Sequence, residues 1–375
     1  MRIIIIGAGI AGLSIGWRLA EAGADTVVLE RAQPGRGATW ASAGMLAATV
    51  ETGVALDSEI AFARKSMDLW PAFVRSLEEA SGQSVGYRRD GALLVAGDSS
   101  EAETLKARAA AAGVGFLSPD ETLGRVPALA PDIQGALWAP DEAQVDNRAL
   151  GRALANAFLN AGGNLQTNES AVRIESFSAD TVGVRTPFAL HVGDAVILAA
   201  GAWSAQLEGL PAEAVPPVRP VKGEMIALSA PTGTPLPKPL VWGNEIYLVP
   251  RGQRLLVGAT ATDSGYDTAL TTEARDWLHG QAVGLMPELA SWDVAEHWAG
   301  LRPGSPDGLP ILGETAVPGV YVASGQYRNG ILFAPAIAEV VKTLVLDRHF
   351  PPEIAAFDPK RFHNDTSLAT GDGVQ

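Results

Sequence analysis

The stretch IIIIGAGIAGLSIGWRLAEAG, residues 3–23, decides how the rest of the chain is read. Four consecutive isoleucines, Ile3 to Ile6, leave no polar face, so they form a strand buried on both sides and central in a parallel sheet. Ile10 to Ala22 has the pattern of a helix, and Gly23 closes it. TVVLE, Thr26 to Glu30, is the next strand, which completes a βαβ unit. Gly7, Gly9 and Gly12 stand at G-x-G-x-x-G between strand and helix, and Glu30 follows 18 residues after Gly12. In that context Gly7 allows the tight turn, Gly9 lets a pyrophosphate approach the backbone, and Gly12 lets helix and strand close-pack. The helix N-terminus attracts phosphate and the Glu30 carboxylate accepts from ribose hydroxyls. The pattern specifies a dinucleotide but does not choose between NAD and FAD.

Composition limits what can surround this unit. The chain has 375 residues, 47% of them hydrophobic, enough for about two domains. Its net charge of −14 disfavours a nucleic-acid or anionic-lipid surface. Zero cysteines exclude disulfides, a zinc–thiolate site, a cysteine nucleophile and a flavin tethered through cysteine. The five histidines (His191, His279, His297, His349 and His363) form no i,i+4 pair, so no metal site is expected. Only Arg2 flanks the first apolar run, and glycines interrupt it, so it reads as strand and helix rather than a leader. No other stretch is long and apolar enough to span a bilayer, and a cytoplasmic location is expected.

Buried parallel strands recur at AVILAAGAWS (195–204) and GVYVAS (319–324). Strand-like alternation fills 221–261. Helical patterns cover 57–80, which Pro71 should kink or divide, and 99–112, 147–161, 271–285 and 331–346. The expected fold is therefore α/β, a Rossmann-like nucleotide domain interleaved with a mixed-sheet α+β domain. The first takes residues 1–50, 145–215 and 300–364, the second 51–144 and 216–299, and 365–375 is a loose tail.

Two segments bear on chemistry. SGQYRNGILFAPAIAEVV (324–341) sets a glycine- and asparagine-containing turn before an apolar helix, just after a buried strand. Such a helix end offers backbone N–H groups and a positive dipole end. That suits the negative charge of a reduced flavin, whereas a nicotinamide has no matching need. EHWAGLRPGSPDGLPILG (296–313) carries a single arginine, Arg302, in an apolar, glycine- and proline-rich setting. Burying an unpaired guanidinium is costly. Arg302 therefore reaches solvent, pairs with Asp307, or meets an anion from outside the chain.

With GAGIAG, TWASAGML (39–46), VILAAGAWS, PVKGE (220–224), YLVPR (247–251), LLVGAT (255–260) and YRNGILFAPA, these segments resemble the D-amino acid oxidase group of flavoproteins, most closely its bacterial glycine oxidase branch of thiamine biosynthesis. The resemblance runs in order over nearly the whole chain. It implies noncovalent FAD held by Gly7, Gly9, Ile10, Ala11, Gly12, Glu30, Arg31, Ala38, Thr39 and Ala43, Gly44 and Met45. It further implies adenine contact by the Val172 backbone, and Gln326, Tyr327, Arg328, Asn329, Gly330, Ile331 and Leu332 along the flavin ring. Tyr247 and Arg302, with Arg328 close by, would hold a substrate carboxylate. The implied reaction passes a hydride from a small amino acid or N-alkylglycine to the flavin, with O2 reduced to H2O2, in a homo-oligomer. A dehydrogenase of the same fold passing electrons to a quinone or protein, an NAD-dependent dehydrogenase and a non-catalytic binding protein are the alternatives. The chain departs from the glycine oxidase pattern where that pattern has a histidine and a methionine, carrying Glu245 and Ala261 instead. Facing the substrate pocket, Ala261 would enlarge it and Glu245 would add a negative charge that repels a second substrate carboxylate, making glycine a secondary substrate.

Overall fold

A computed structural model describes residues 1–51, 56–178 and 180–362. The expected tail over 365–375 lies outside them. Two sheets organise the chain. The first has six strands in the order Ile311–Glu314, Val320–Ser324, Ala195–Leu198, Arg2–Ile6, Asp25–Glu30 and Asn164–Thr167, parallel except for the antiparallel first edge. The isoleucine run is central, and its side chains divide by parity. Ile3 and Ile5 enter a core shared with the helices Ile10–Glu21, Asp57–Ser81, Asn147–Asn160 and Ala334–Leu346. Ile4 and Ile6 pack on the other side against Ile174, Val182 and Val184 of a small antiparallel sheet, Arg173–Ser178, Thr181–Arg185 and Leu190–Gly193. Both faces are covered, as an unbroken apolar run requires.

The second sheet has eight strands in the order Asp293–Gly304, Arg219–Ser229, Arg254–Gly258, Ile246–Arg251, Leu240–Gly243, Ala92–Ala96, Gly135–Ala139 and Gly115–Leu117. It is antiparallel apart from the pairing of Leu240–Gly243 with Ala92–Ala96. The helix Thr272–Leu285 packs against one face through Leu278, Ala282 and Leu285.

One assignment changes. The helix Asp57–Ser81 lies in the segment first given to the second domain, yet Phe62, Ala63, Trp70, Phe73 and Leu77 join the core of the parallel-sheet lobe. Its polar groups follow: Ser66 Oγ and Trp70 Nε1 both donate to the Leu332 carbonyl, at 2.6 and 2.9 Å. Pro71 is exposed and does not divide the helix.

Candidate active site

A cavity of about 680 Å³ runs between the glycine turn of the first sheet and one face of the second. At one end the turn is shaped as the sequence demands. Gly7 has φ +102°, and a Cβ there would sit 2.5 Å from the Ala199 carbonyl oxygen. A Cβ on Gly12 would meet the Gly7 carbonyl oxygen at 2.0 Å, whereas one on Gly9 would meet only Thr39 Oγ1, at 3.6 Å. Gly7 and Gly12 are thus glycines for packing, and Gly9 leaves its backbone open to the cavity. Glu30 accepts from Ala8 N and Ala32 N at 2.9 and 3.0 Å, which fixes its carboxylate at the cavity rim. Thr39 Oγ1 accepts from Ile10 N at 2.8 Å and locks the start of the helix. Arg31 lies 3.6 Å over the Trp203 ring. Ala11, Ala38, Ala43, Gly44 and Met45 also line the cavity.

The loop 43–45 is held from the opposite sheet. Arg251 Nη2 donates to the carbonyls of Ala43 and Val145, both at 2.8 Å, and Arg251 Nη1 to Asn147 Oδ1 at 3.2 Å. The sequence signal was present in YLVPR, but it pointed to the tyrosine and not to this arginine.

At the other end, Gln326, Tyr327, Arg328, Gly330 and Ile331 line the cavity. Among the described residues no acceptor is found for the backbone N–H groups of Gly330, Ile331 and Leu332, which lead into the helix Ala334–Leu346. The buried Gln326 Nε2 likewise has no partner. Unpaired buried donors at the positive end of a helix fit an anionic, hydrogen-bond-accepting group. The side chains of Leu332 and Asn329 turn away from it. Leu332 is 1% exposed within the core, and Asn329 Nδ2 donates to Glu59 Oε1 at 2.8 Å.

The facing sheet presents a trough. Register places Tyr247 opposite Gly258, Gly258 opposite Met225, Gly223 opposite Gly300 and Val221 opposite Arg302. Side chains alternate along each strand, so Tyr247, Met225, Gly223, Gly300 and Arg302 share one face. The glycines make room. A Cβ on Gly223 would lie 2.2 Å from Arg302 Nη1, and one on Gly258 2.4 Å from the Tyr247 ring. Arg302 Nη1 donates to the Thr260 carbonyl at 3.0 Å, and no acidic side chain pairs with it among the described residues. Asp307 is taken by Arg361, with contacts of 2.7 and 3.1 Å. Of the three roles open to Arg302 in the sequence, the internal pair with Asp307 is thereby removed. Burial pushes the Tyr247 hydroxyl above its ordinary pKa, against the pull of the Arg302 and Arg328 guanidinium groups.

Two expected positions lie outside the cavity, and a third lines it with its backbone groups bonded within the chain. Glu245 sits with Asn244 in a two-residue hairpin turn, at φ +64° and +51°, and is exposed outside the cavity. It is singled out because the family pattern has a histidine there, but the turn takes it off the strand that carries Tyr247. Ala261 is also exposed and outside the cavity, because the chain has left the strand that ends at Gly258. Val172 borders the cavity, but its N–H donates to the Arg185 carbonyl at 2.8 Å and its own carbonyl accepts from Glu208 N at 3.1 Å. The neighbouring Ala171, also in the lining, keeps both backbone groups without a partner among the described residues. Glu51 was missed in the sequence. It lines the cavity with Tyr247, Arg302 and Arg328, and burial raises its carboxyl to a pKa of about 7.

Residues 2–344 match the family model of FAD dependent oxidoreductases. The chain is 34% identical to a glycine oxidase of Pseudomonas aeruginosa, covering 92% of this chain and 95% of that protein. It is 35% identical to the bifunctional protein ThiO/ThiG of Synechocystis over 97% of its own length, and spans about half (54%) of that relative. The crystal structure of glycine oxidase from Geobacillus kaustophilus superposes with a TM-score of 0.90 at 33% identity, covering 96% of this chain and 99% of that one.

Proposed function

Because the chain belongs to the FAD-dependent oxidoreductase family, we propose that it oxidises small α-amino acids or N-alkylglycines and reduces O2 to H2O2. The observation that carries the reading is Arg302, a guanidinium without an acidic partner among the described residues. It lies in the same cavity as the unpaired donors before the helix Ala334–Leu346. FAD, when bound, supplies the two-electron acceptor; the rest is position and charge.

The glycine turn, Glu30 and Thr39 hold the nucleotide, with the Ala171 backbone rather than that of Val172 toward the adenine. The N–H groups of Gly330, Ile331 and Leu332 and the Gln326 amide receive the polar edge of the ring system. The Arg302 fork takes the substrate carboxylate bidentately. Each such charge-assisted hydrogen bond contributes roughly 1.5–3 kcal/mol. Tyr247, kept protonated by burial, donates to the same carboxylate. Anchored there, the substrate places its α-carbon toward the turn 326–331, and orientation is the main contribution of the protein. FAD, when bound, would take the hydride from the α-carbon, the nitrogen gives its proton to solvent, and the imino acid product hydrolyses in water.

The test is a spectrum of the purified protein followed by anaerobic titration with small amino acids. Yellow protein that bleaches with glycine, sarcosine or D-alanine, and forms peroxide in air, is expected. Bleaching without peroxide would indicate a dehydrogenase, and no bleaching by any amino acid would overturn the reading.

A further inference from the structure

Among the described residues three acids line the cavity: Glu30 at the glycine turn, Glu208 bonded to the Val172 backbone, and Glu51. Glu51 lies beside Arg302, Arg328 and Tyr247, and Arg328 and Arg302 act on its charge in that order. Among the described residues its carboxylate accepts no hydrogen bond. Its backbone is nevertheless fixed. Glu51 N donates to the Ala47 carbonyl at 3.2 Å, Thr49 N to Glu142 Oε1 at 2.6 Å, and Arg108 Nη2 to the Thr49 and Val50 carbonyls at 2.9 and 2.5 Å. A carboxylate held at a cavity wall with no internal donor is arranged to accept from something that enters. An amino acid brings one carboxylate, for Arg302, and one nitrogen with several N–H donors. Neither Tyr247, whose hydroxyl lies 3.6 Å from Met225 Sδ, nor any other side chain of the trough offers an anionic acceptor for that nitrogen.

We infer that Glu51 is the residue that receives the substrate nitrogen, so that the cavity selects zwitterionic amino acids over carboxylates without an amine or with a second negative charge. This rests on the proposed reading of Arg302 as the carboxylate anchor. It also gives a charge signature. The acids and bases around Glu51 are Arg328 from the turn 326–331, Arg302 from the strand Asp293–Gly304, Tyr247 from Ile246–Arg251, Glu59 from the helix Asp57–Ser81 and Glu142 beside Thr49. Arginine guanidinium groups as a class keep their charge near neutrality. Glu51, raised to about 7 by burial, is what changes there together with Glu142. As pH rises through 7 the wall gains a negative charge, which attracts a substrate ammonium and repels a bare carboxylate.

The experiment measures the dissociation constants of 2-aminoisobutyrate and isobutyrate through flavin absorbance of the holoenzyme at pH 6 and pH 8.5. Neither ligand is a substrate: 2-aminoisobutyrate has no α-hydrogen, and isobutyrate has no amine. In the wild type the preference for the amine-bearing ligand should grow about tenfold over this interval. In Glu51→Gln it should stay flat, with the flavin spectrum and melting temperature retained, and iminodiacetate should bind more tightly than to the wild type. Glu51→Asp, which keeps the charge, should restore part of the pH dependence. A wild-type preference that does not change with pH, or one that changes equally in Glu51→Gln, overturns the assignment of Glu51 while leaving the anchor at Arg302 intact. Failure of the wild type to bind either ligand overturns the anchor, and the inference with it.

Discussion

The glycine turn at residues 7–12 and the glycine trough under Tyr247 and Arg302 do the same physical job in different ways. Each removes side chains so that something else can come close. In the turn, the two groups that would collide, Gly12 and the Gly7 carbonyl, lie within six residues. In the trough, Gly223 makes room for Arg302 and Gly258 for Tyr247, and these pairs meet only through strand register. Function carried by local spacing is visible in a string of letters. Function carried by register becomes visible only after the strands are paired.

The contrast can be broken at several points. The largest effect is expected from Gly12→Ala. Its Cβ would meet backbone at 2.0 Å, where no side chain can yield. Overpacking of this kind costs about 3 kcal/mol, and the protein should purify colourless with a lowered melting temperature. A yellow Gly12→Ala protein of unchanged stability would remove the close-packing role.

Gly223→Ala puts its methyl against the Arg302 guanidinium, at 2.2 Å. The arginine can move, so the fold and the flavin should survive. Displacing the carboxylate anchor should raise KM roughly a hundredfold, the ~2.7 kcal/mol of one or two charge-assisted hydrogen bonds. Equal loss of flavin from Gly223→Ala and Gly12→Ala would show that the two glycine sets are not separate devices. Gly258→Ala, against the Tyr247 ring at 2.4 Å, should cost about tenfold in kcat/KM by the same logic.

A smaller effect concerns pH. Burial raises the Glu142 carboxyl to about 7, so the fold favours its protonated form. The stability this contributes is present in full below the ordinary value of 4.5 and is lost as pH rises through 7. Glu142→Gln removes the titration. Between pH 5 and 8 the wild type should lose about 1–2 kcal/mol more stability than this variant in denaturant melts. Parallel curves for the two proteins would contradict the burial cause. The smallest effect is expected from Ala261→Met, which sits outside the cavity. It should change relative kcat/KM among glycine, sarcosine and D-alanine by less than about twofold, far below the 1–3 kcal/mol of a true pocket residue. A tenfold shift toward glycine would return this position to the pocket.

Much of the first lobe was legible because its signals are short-range. The isoleucine run announces a strand covered on both faces, and the three glycines keep their places at the turn. The helix Asp57–Ser81 was assigned to the wrong lobe because an amphipathic pattern reveals that a helix has a buried face, not what buries it. Which backbone groups near Val172 stay free depends on the edge a neighbouring strand consumes, and sequence does not show that edge. Glu245 was placed by a family pattern, which does not show that two positive-φ residues form a turn at this point. Glu51 lies in no segment singled out in the sequence, and Arg251 lies in YLVPR, where the tyrosine drew the reading. Each acquires its role from groups far away in the chain, Glu51 from Arg302 and Arg328, Arg251 from the carbonyls of Ala43 and Val145.

Arg302 carries the proposed carboxylate anchor, and its replacement tests the account most directly. Arg302→Met keeps much of the volume and removes the fork. The absorbance of the flavin should be titrated with benzoate in wild type and variant. The account predicts that both proteins are yellow, that benzoate perturbs the wild-type spectrum with saturation, and that the variant shows no perturbation at a hundredfold higher concentration. A variant that binds benzoate as the wild type does would show that the carboxylate is held elsewhere, and the anchor assigned to Arg302 would be wrong.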